Sequence, residues 1–285
     1  MFIVPQQLAA SCRGVPEHSA WLERLPDVVQ ELQDRWMLSL GTVFDGSEVS
    51  CAWVAPARRG DGSRAVLKLG LPHMEAAHEL QGLRFWEGDP TVRLLEADED
   101  LNAMLLERCE PGTALRELPQ SEQDVVISGL LRRLWRKPAE PQPFRPLATM
   151  LAYWAQETMA AAASWPDPGL TRAGLGLFEE LSRPSAEDVL LATDLHAGNV
   201  LRARRRPWLV IDPKPFVGDP AYDATQHLLN CRERLLAAPE ATIGRLADLM
   251  EVDGERVRLW LFARAAAEPR EAWNDEAMTL ARALG

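Results

Sequence analysis

Three side chains in the stretch 193–215 are of the type and spacing that phosphoryl-transfer chemistry uses. The stretch reads T-D-L-H-A-G-N-V-L-R-A-R-R-R-P-W-L-V-I-D-P-K-P; Asp194 is followed five positions later by Asn199, and the apolar run 208–211 delivers Asp212. An aspartate with an open oxygen can orient a hydroxyl and accept its proton. An asparagine carbonyl and a second carboxylate are hard oxygen donors suited to Mg²⁺, which needs few protein ligands when phosphates supply the rest. For D-x-x-x-x-N alone, a polar hairpin with solvated acids on its rim is the plain alternative; the apolar strand that ends in Asp212 argues against it. A metal hydrolase built on Asp194, His196 and Asp212 is another, but no further His or Cys cluster lies nearby in the sequence.

Upstream, Lys68 lies inside the apolar run A-V-L-K-L-G. A buried ammonium needs an anion, and two suit it: the α/β-phosphates of ATP and a carboxylate on the helix expected at 75–86. That helix offers Glu75 and Glu79 at i, i+4, on one face; Glu79, one turn ahead of the apolar L-R-F-W, is favoured. The turn D-G-S-E, with Ser47, is where a nucleotide-covering loop would sit, although a single Gly makes it weak evidence by itself. The run M-L-L-E-R-C-E-P-G-T, an apolar strand leaving into a short linker, has the form of a hinge whose backbone at Glu107, Arg108 and Cys109 would meet an adenine edge.

The elements that must position these residues follow from hydrophobic period and turn chemistry. Strand-like runs fall at 37–44, 49–55, 64–69, 92–96 and 101–106. Ahead of them, 17–36 has helical spacing, and Pro26 is expected to split it into two short helices. Beyond the hinge the chain reads as helical: 121–136, 147–165, 170–181, 241–250, 255–267 and 271–284. The segment G-D-P-A-Y-D opens another helix, with Asp219 at its N-cap and Pro220 at its first position. Asp223, one turn in, and Glu233 are the candidate anionic contacts for a cationic substrate, while Glu268, Glu271, Asp275 and Glu276 read as solvated helix faces. The expected partition is a helical segment at 1–36, an N-lobe at 37–106, a hinge at 107–112 and a helical C-lobe at 113–285.

The 285 residues suffice for one enzyme of two lobes, and 47% hydrophobic with 26% charged is ordinary for a globular chain. A net charge of -11 argues against nucleic acid or an anionic membrane as the main partner and suits a cationic small molecule. Four widely spaced cysteines form no C-x-x-C pair, so a reducing cytoplasm fits. The N-terminus lacks a signal-peptide pattern, and no apolar run is long enough for a membrane span. No internal repeat is present.

The order of a lysine strand, a carboxylate helix, a hinge, helices, then D-x-x-x-x-N and a strand-terminal Asp resembles the protein-kinase-like fold. More narrowly, D-G-S-R-A-V-L-K-L, D-L-H-A-G-N-V-L and P-W-L-V-I-D-P-K-P-F-V-G-D-P-A-Y-D resemble the aminoglycoside phosphotransferases, in particular their streptomycin 6-kinase (aminoglycoside/hydroxyurea kinase) group. The resemblance runs from about residue 36 to 264. It implies an α+β, two-lobed fold with a small antiparallel-sheet N-lobe carrying one main helix, and a larger helical C-lobe. It also implies Asp194 as base, Asn199 and Asp212 as Mg²⁺ ligands, Lys68 on the ATP phosphates, and transfer of the γ-phosphoryl of ATP to a streptomycin-type hydroxyl by a cytoplasmic monomer or homodimer. An endogenous small alcohol (sugar, choline-like or amino-alcohol) is the alternative acceptor, and a nucleotide-binding module without turnover a more distant one. The family usually places a His and then a Gly or Trp before the base; Ala192 and Thr193 stand there here, which bears on the rigidity of the loop.

Overall fold

The structure is a computed structural model of the chain and describes residues 2–46, 51–269 and 275–285. It divides into two compact units. One comprises Met1–Thr113 with Leu201–Ile211, the other Ala114–Val200 with Asp212–Gly285. This differs from the partition read from the sequence: the N-terminal helices join the first unit, and so does a segment from the middle of the stretch 193–215.

The first unit is built on a five-stranded antiparallel sheet of β1 (Leu38–Leu40), β2 (Ala52–Arg59), β3 (Arg64–Gly70), β4 (Leu94–Asp98) and β5 (Ala103–Glu107), in the order β1-β2-β3-β5-β4. Side chains alternate between the faces of a strand, and β3 and β5 show it. Ala65, Leu67, Leu69, Ala103 and Leu105 pack with Leu25, Val29 and Leu32 of α2 (Pro16–Arg35). Val66, Met104 and Leu106 face the other way, onto Leu80 and Leu83 of α3 (Glu79–Trp86) and onto Leu209. Lys68 shares the parity of Val66, which puts it on the α3 side.

A short helix, α1 (Gln6–Ser11), precedes α2. The split expected at Pro26 does not occur: α2 runs unbroken for 20 residues. An interior proline costs about 3 kcal/mol, whereas each buried Leu or Val contributes ~1.5–3 kcal/mol, and Leu25, Val29 and Leu32 are all buried. The strands β7 (Val200–Arg202) and β8 (Trp208–Val210) pair with each other. Arg205, in their turn, fastens this hairpin to the sheet by donating to the Glu107 carboxylate and to the carbonyls of Gly88 and Thr91.

The second unit is helical: α4 (Gln120–Leu134), α5 (Leu147–Ala160), α6 (Pro168–Leu181), α7 (Pro220–Asn230), α8 (Arg232–Ala237), α9 (Pro239–Met250), α10 (Gly254–Ala267) and α11 (Asp275–Leu284), with β6 (Val189–Leu191) paired antiparallel to β9 (Phe216–Gly218). Buried α10 runs through it. A Cβ on Gly174 of α6 would lie 2.9 Å from the Ala266 Cβ and 3.1 Å from the Ala263 carbonyl, so these helices meet backbone to backbone. Asp219 caps α7 by accepting from Ala221 N–H (3.0 Å) and also accepts from Trp260 Nε1 (2.7 Å) and Arg256, tying α7 to α10. Among the described residues no helix is long and apolar enough to cross a membrane.

Four helices converge on one buried carboxylate. Asp124 of α4 accepts from Arg234 through both terminal nitrogens (2.7 Å each), from Arg245 Nε (3.1 Å), and pairs with His227 Nε2 (3.0 Å). Burial alone would raise its pKa, but His227 and Arg234 hold it well below the usual carboxylate range. An acid whose folded pKa is depressed contributes stability that is complete above its unfolded value, near 4, and is lost as the pH falls through the folded value. Asp124→Ala is therefore expected to destabilise the second unit by about 3–5 kcal/mol at pH 7, since it strands the buried partners. Urea unfolding measures this, and the mutant should also lose part of the steep destabilisation that the parent shows between pH 4 and pH 2.

Candidate active site

In the first unit Lys68 and Glu79 form a buried ion pair, with Nζ 2.6 Å from each carboxylate oxygen. Lys68 sits between Val54 of β2 and Met104 of β5, so the strand fixes its height and α3 brings the acid. The helix expected at 75–86 starts four residues later than expected. Tight turns occupy the segment after Pro72, so Glu75, half-buried, does not stack above Glu79 on a shared helical face. Ser47 lies outside the described residues.

The expected hinge divides in role. Glu107 closes β5; its N–H donates to the Arg93 carbonyl (2.9 Å), and its carboxylate accepts from Arg205 and from Arg93 N–H. Burial pushes against the charge, but Arg205 and Arg93 hold this carboxyl below its usual range. The side chain is a structural anchor. Arg108 is half-buried. Cys109 is buried, with its thiol pushed up to about 12 by burial and by Glu107, which makes it unreactive. Among the described residues its backbone N–H and C=O pair with no other backbone group outside helices and strands.

In the second unit Asp194 follows β6. Its Oδ2 lies 2.6 Å from Lys214 Nζ, and its Oδ1 accepts from Gln226 Nε2 (2.8 Å). Asn199 ends a 3-10 turn, Ala197–Asn199, and its Nδ2 donates to the Asp194 carbonyl (3.0 Å), so its Oδ1 is turned from that backbone. Asn199 and Asp212 stand just outside the two ends of the β7–β8 hairpin, which brings them to the same end. A neutral carbonyl oxygen and a carboxylate are a donor set that fits Mg²⁺. His196 accepts at Nδ1 from Gly198 N–H (3.1 Å), a local cap of the 3-10 turn.

Asp223 is not a substrate contact. It is 1% exposed, and its carboxylate accepts from Ala192 N–H (3.0 Å), Thr193 N–H (2.8 Å) and Trp135 Nε1 (2.9 Å), leaving no face for a ligand. It holds the backbone just before Asp194. Thr193 there has φ +48°, and Asp212 has φ +54°. A β-branched residue in the left-handed region is strained by about 1–3 kcal/mol and persists only when its surroundings dictate it. Here Asp223 takes the N–H, and Thr193 Oγ1 donates to the Lys214 carbonyl (2.6 Å). Glu233, the other expected substrate contact, is exposed on the first turn of α8, outside the hydrogen-bonded group around Asp194.

The residues that sequence reasoning missed are Gln226, Arg264 and Lys214. Arg264 is buried over the rings of Trp154 and Tyr222; its Nη2 donates to Gln226 Oε1 (2.9 Å), and it pairs with Glu268 (Nε–Oε2 3.0 Å). Glu268, expected on a solvated face, is thus part of the support of the site. A guanidinium only donates, so Gln226 must turn Oε1 to Arg264 and Nε2 to Asp194. The available signal was the presence of polar side chains on otherwise apolar helical faces of α7 and α10.

Complete burial pushes the Asp223 carboxyl up to about 6, helped by the Asp219 charge and opposed by its three N–H donors. An acid with a raised folded pKa holds its proton more tightly when folded, so its ionisation removes stability between about pH 4 and pH 6. The loop, however, needs both oxygens as acceptors. Turnover should therefore fall as the pH drops through about 6 while this group makes the fold no less stable, a divergence that a pH–rate profile run beside thermal melts reveals. Asp223→Asn, which replaces one acceptor by a donor, should lower kcat by about 10²-fold through misplacement of Asp194.

Comparison with known proteins places the chain in a family. The family model described as aminoglycoside/hydroxyurea antibiotic resistance kinase matches residues 35–277. A streptomycin 6-kinase of Streptomyces glaucescens is 35% identical, with 99% of this chain and 96% of that protein covered. A hydroxyurea phosphotransferase of Kitasatospora aureofaciens is 37% identical over 86% of this chain and 72% of its own length. Among solved structures, the choline kinase LicA from Streptococcus pneumoniae superposes with a TM-score of 0.62 at 12% identity, over 92% of this chain and 97% of that one, which shows a shared protein-kinase-like fold. The chain belongs to the aminoglycoside/hydroxyurea antibiotic resistance kinase family.

Proposed function

We propose that this protein transfers the γ-phosphoryl group of ATP to a hydroxyl of a small cationic acceptor of the streptomycin type, with Asp194 as the base. The observation that carries the reading is the geometry of Asp194: one carboxylate held at Oδ1 by an amide and at Oδ2 by an ammonium, beside Asn199. A carboxylate oxygen has two acceptor sites, so an acceptor hydroxyl can still hydrogen-bond to it. The similarity to a streptomycin 6-kinase along nearly the full length supports the acceptor class. The net charge of -11 favours a polycation by field.

In this reading the acceptor oxygen attacks the γ-phosphorus in line, the bond to the β–γ bridging oxygen breaks with its electron pair leaving on ADP, and the hydroxyl proton passes to Asp194. Lys68, oriented by Glu79, binds the nucleotide phosphates, and the backbone at Cys109 meets the adenine edge. Asn199 and Asp212 would hold Mg²⁺, which when bound neutralises phosphate charge. Catalysis then rests on positioning and electrostatics.

The likeness to a hydroxyurea phosphotransferase favours a second acceptor, the N-hydroxyl of hydroxyurea. Incubation with ATP, Mg²⁺ and either streptomycin, hydroxyurea or choline, read by ADP release and by the gain of one phosphoryl group in mass, separates the classes. Streptomycin is expected to gain the group, and phosphorylation of choline alone would overturn the acceptor assignment. Asp194→Asn should lower transfer by about 10²–10⁴-fold while calorimetry shows ATP affinity kept. Undiminished transfer would remove Asp194 from the chemistry.

A further inference from the structure

Lys214 is carried more firmly than an ion pair alone would require. Its N–H donates to the Ala192 carbonyl (2.9 Å), and its own carbonyl accepts from Thr193 Oγ1 (2.6 Å), so both sides of its backbone are pinned to the loop that ends in Asp194. Pro213 and Pro215 flank it in D-P-K-P, restricting the backbone on either side. Its ammonium lies 2.6 Å from Asp194 Oδ2, each side chain being 19% exposed. The loop D-L-H-A-G-N carries no lysine or arginine of its own, and its one imidazole is turned to Gly198.

In-line transfer spreads negative charge over the three equatorial oxygens of the phosphoryl group. The attacked phosphorus must stand about 3–3.5 Å from the acceptor oxygen, and that oxygen is hydrogen-bonded to Asp194 in the function proposed above. A cation in contact with the base is therefore within one side-chain adjustment of the phosphoryl oxygens, and an ammonium, with three donors, can serve two anions at once. We infer that Lys214 is a catalytic residue that donates to a non-bridging oxygen of the group in flight, while its contact with Asp194 parks it there between turnovers. It gives up no proton: the hydroxyl proton goes to Asp194, the electron pair leaves on ADP, and Lys214 keeps its charge throughout. The inference rests on the kinase reading and adds a residue to it.

Calorimetry with ADP and Mg²⁺, with and without aluminium fluoride as the planar phosphoryl mimic, tests this without any acceptor. Lys214→Met should bind ADP with Mg²⁺ as the parent does and lose about 10- to 100-fold in affinity for the mimic, the worth of a charged hydrogen bond; Asp194→Asn should retain the mimic. If Lys214→Met does not fold, as judged by circular dichroism, Lys214→Gln is read in its place. Undiminished affinity for the mimic would overturn the inference and leave the kinase reading intact. Equal loss of ADP with and without the mimic would also overturn it, by showing a general role in nucleotide binding. A parent protein that binds neither ADP nor the mimic would overturn both.

Discussion

The grip of the Asp223 carboxylate on the backbone of Ala192 and Thr193 is the constraint on which the rest of the second unit's chemistry depends. A buried acid is costly, and three N–H donors are what make it tolerable. In return, Thr193 is kept in a backbone state that a threonine would not choose, and Asp194 leaves the strand end in a fixed direction. Gln226, from the next turn of the same helix, touches Asp194 itself. One helix thus sets both the backbone before Asp194 and its side chain. That helix is anchored in turn by Asp219 on Trp260 at its start and by His227 on Asp124 towards its end.

The chain of donors behind Asp194 is equally directional. Arg264 cannot accept, so it dictates which end of the Gln226 amide faces Asp194. Glu268 and two aromatic rings keep the guanidinium in place. Burial opposes a charged side chain there, and the neighbouring Glu268 carboxylate and Tyr222 more than offset it, raising the pKa of Arg264. A neutral amide on one oxygen of Asp194 and a cation on the other make the two oxygens inequivalent.

What the sequence made legible was local. Alternation along β3 with a lone lysine on one face led to the Lys68–Glu79 pair, and the hard donors at 199 and 212 flank a short hairpin. What it hid depends on partners far along the chain. Asp223 meets residues 30 and 31 positions away, and Arg264 meets Gln226 across 38, so neither could be assigned a neighbour from spacing. An acid one turn into a helix then reads as a surface group open to substrate. Local rules also failed where packing outweighed them: Pro26 did not end α2, because three buried side chains hold its flanks. Glu107 read as a hinge residue because its partner, Arg205, lies 98 positions on.

That last pairing bears on how the protein can be taken apart. The segment Leu201–Ile211 belongs to the sheet unit although both of its neighbours along the chain, Val200 and Asp212, belong to the helical one. Leu209 packs with Leu80, Leu83, Val92 and Met104. A recombinant fragment beginning at Ala114 would therefore expose an apolar hairpin torn from its seat, and the complementary fragment ending at Thr113 would have a hole where Leu209 belongs. Neither half is a contiguous stretch of gene, so the two can be separated only by cutting the chain three times or by rewiring its order.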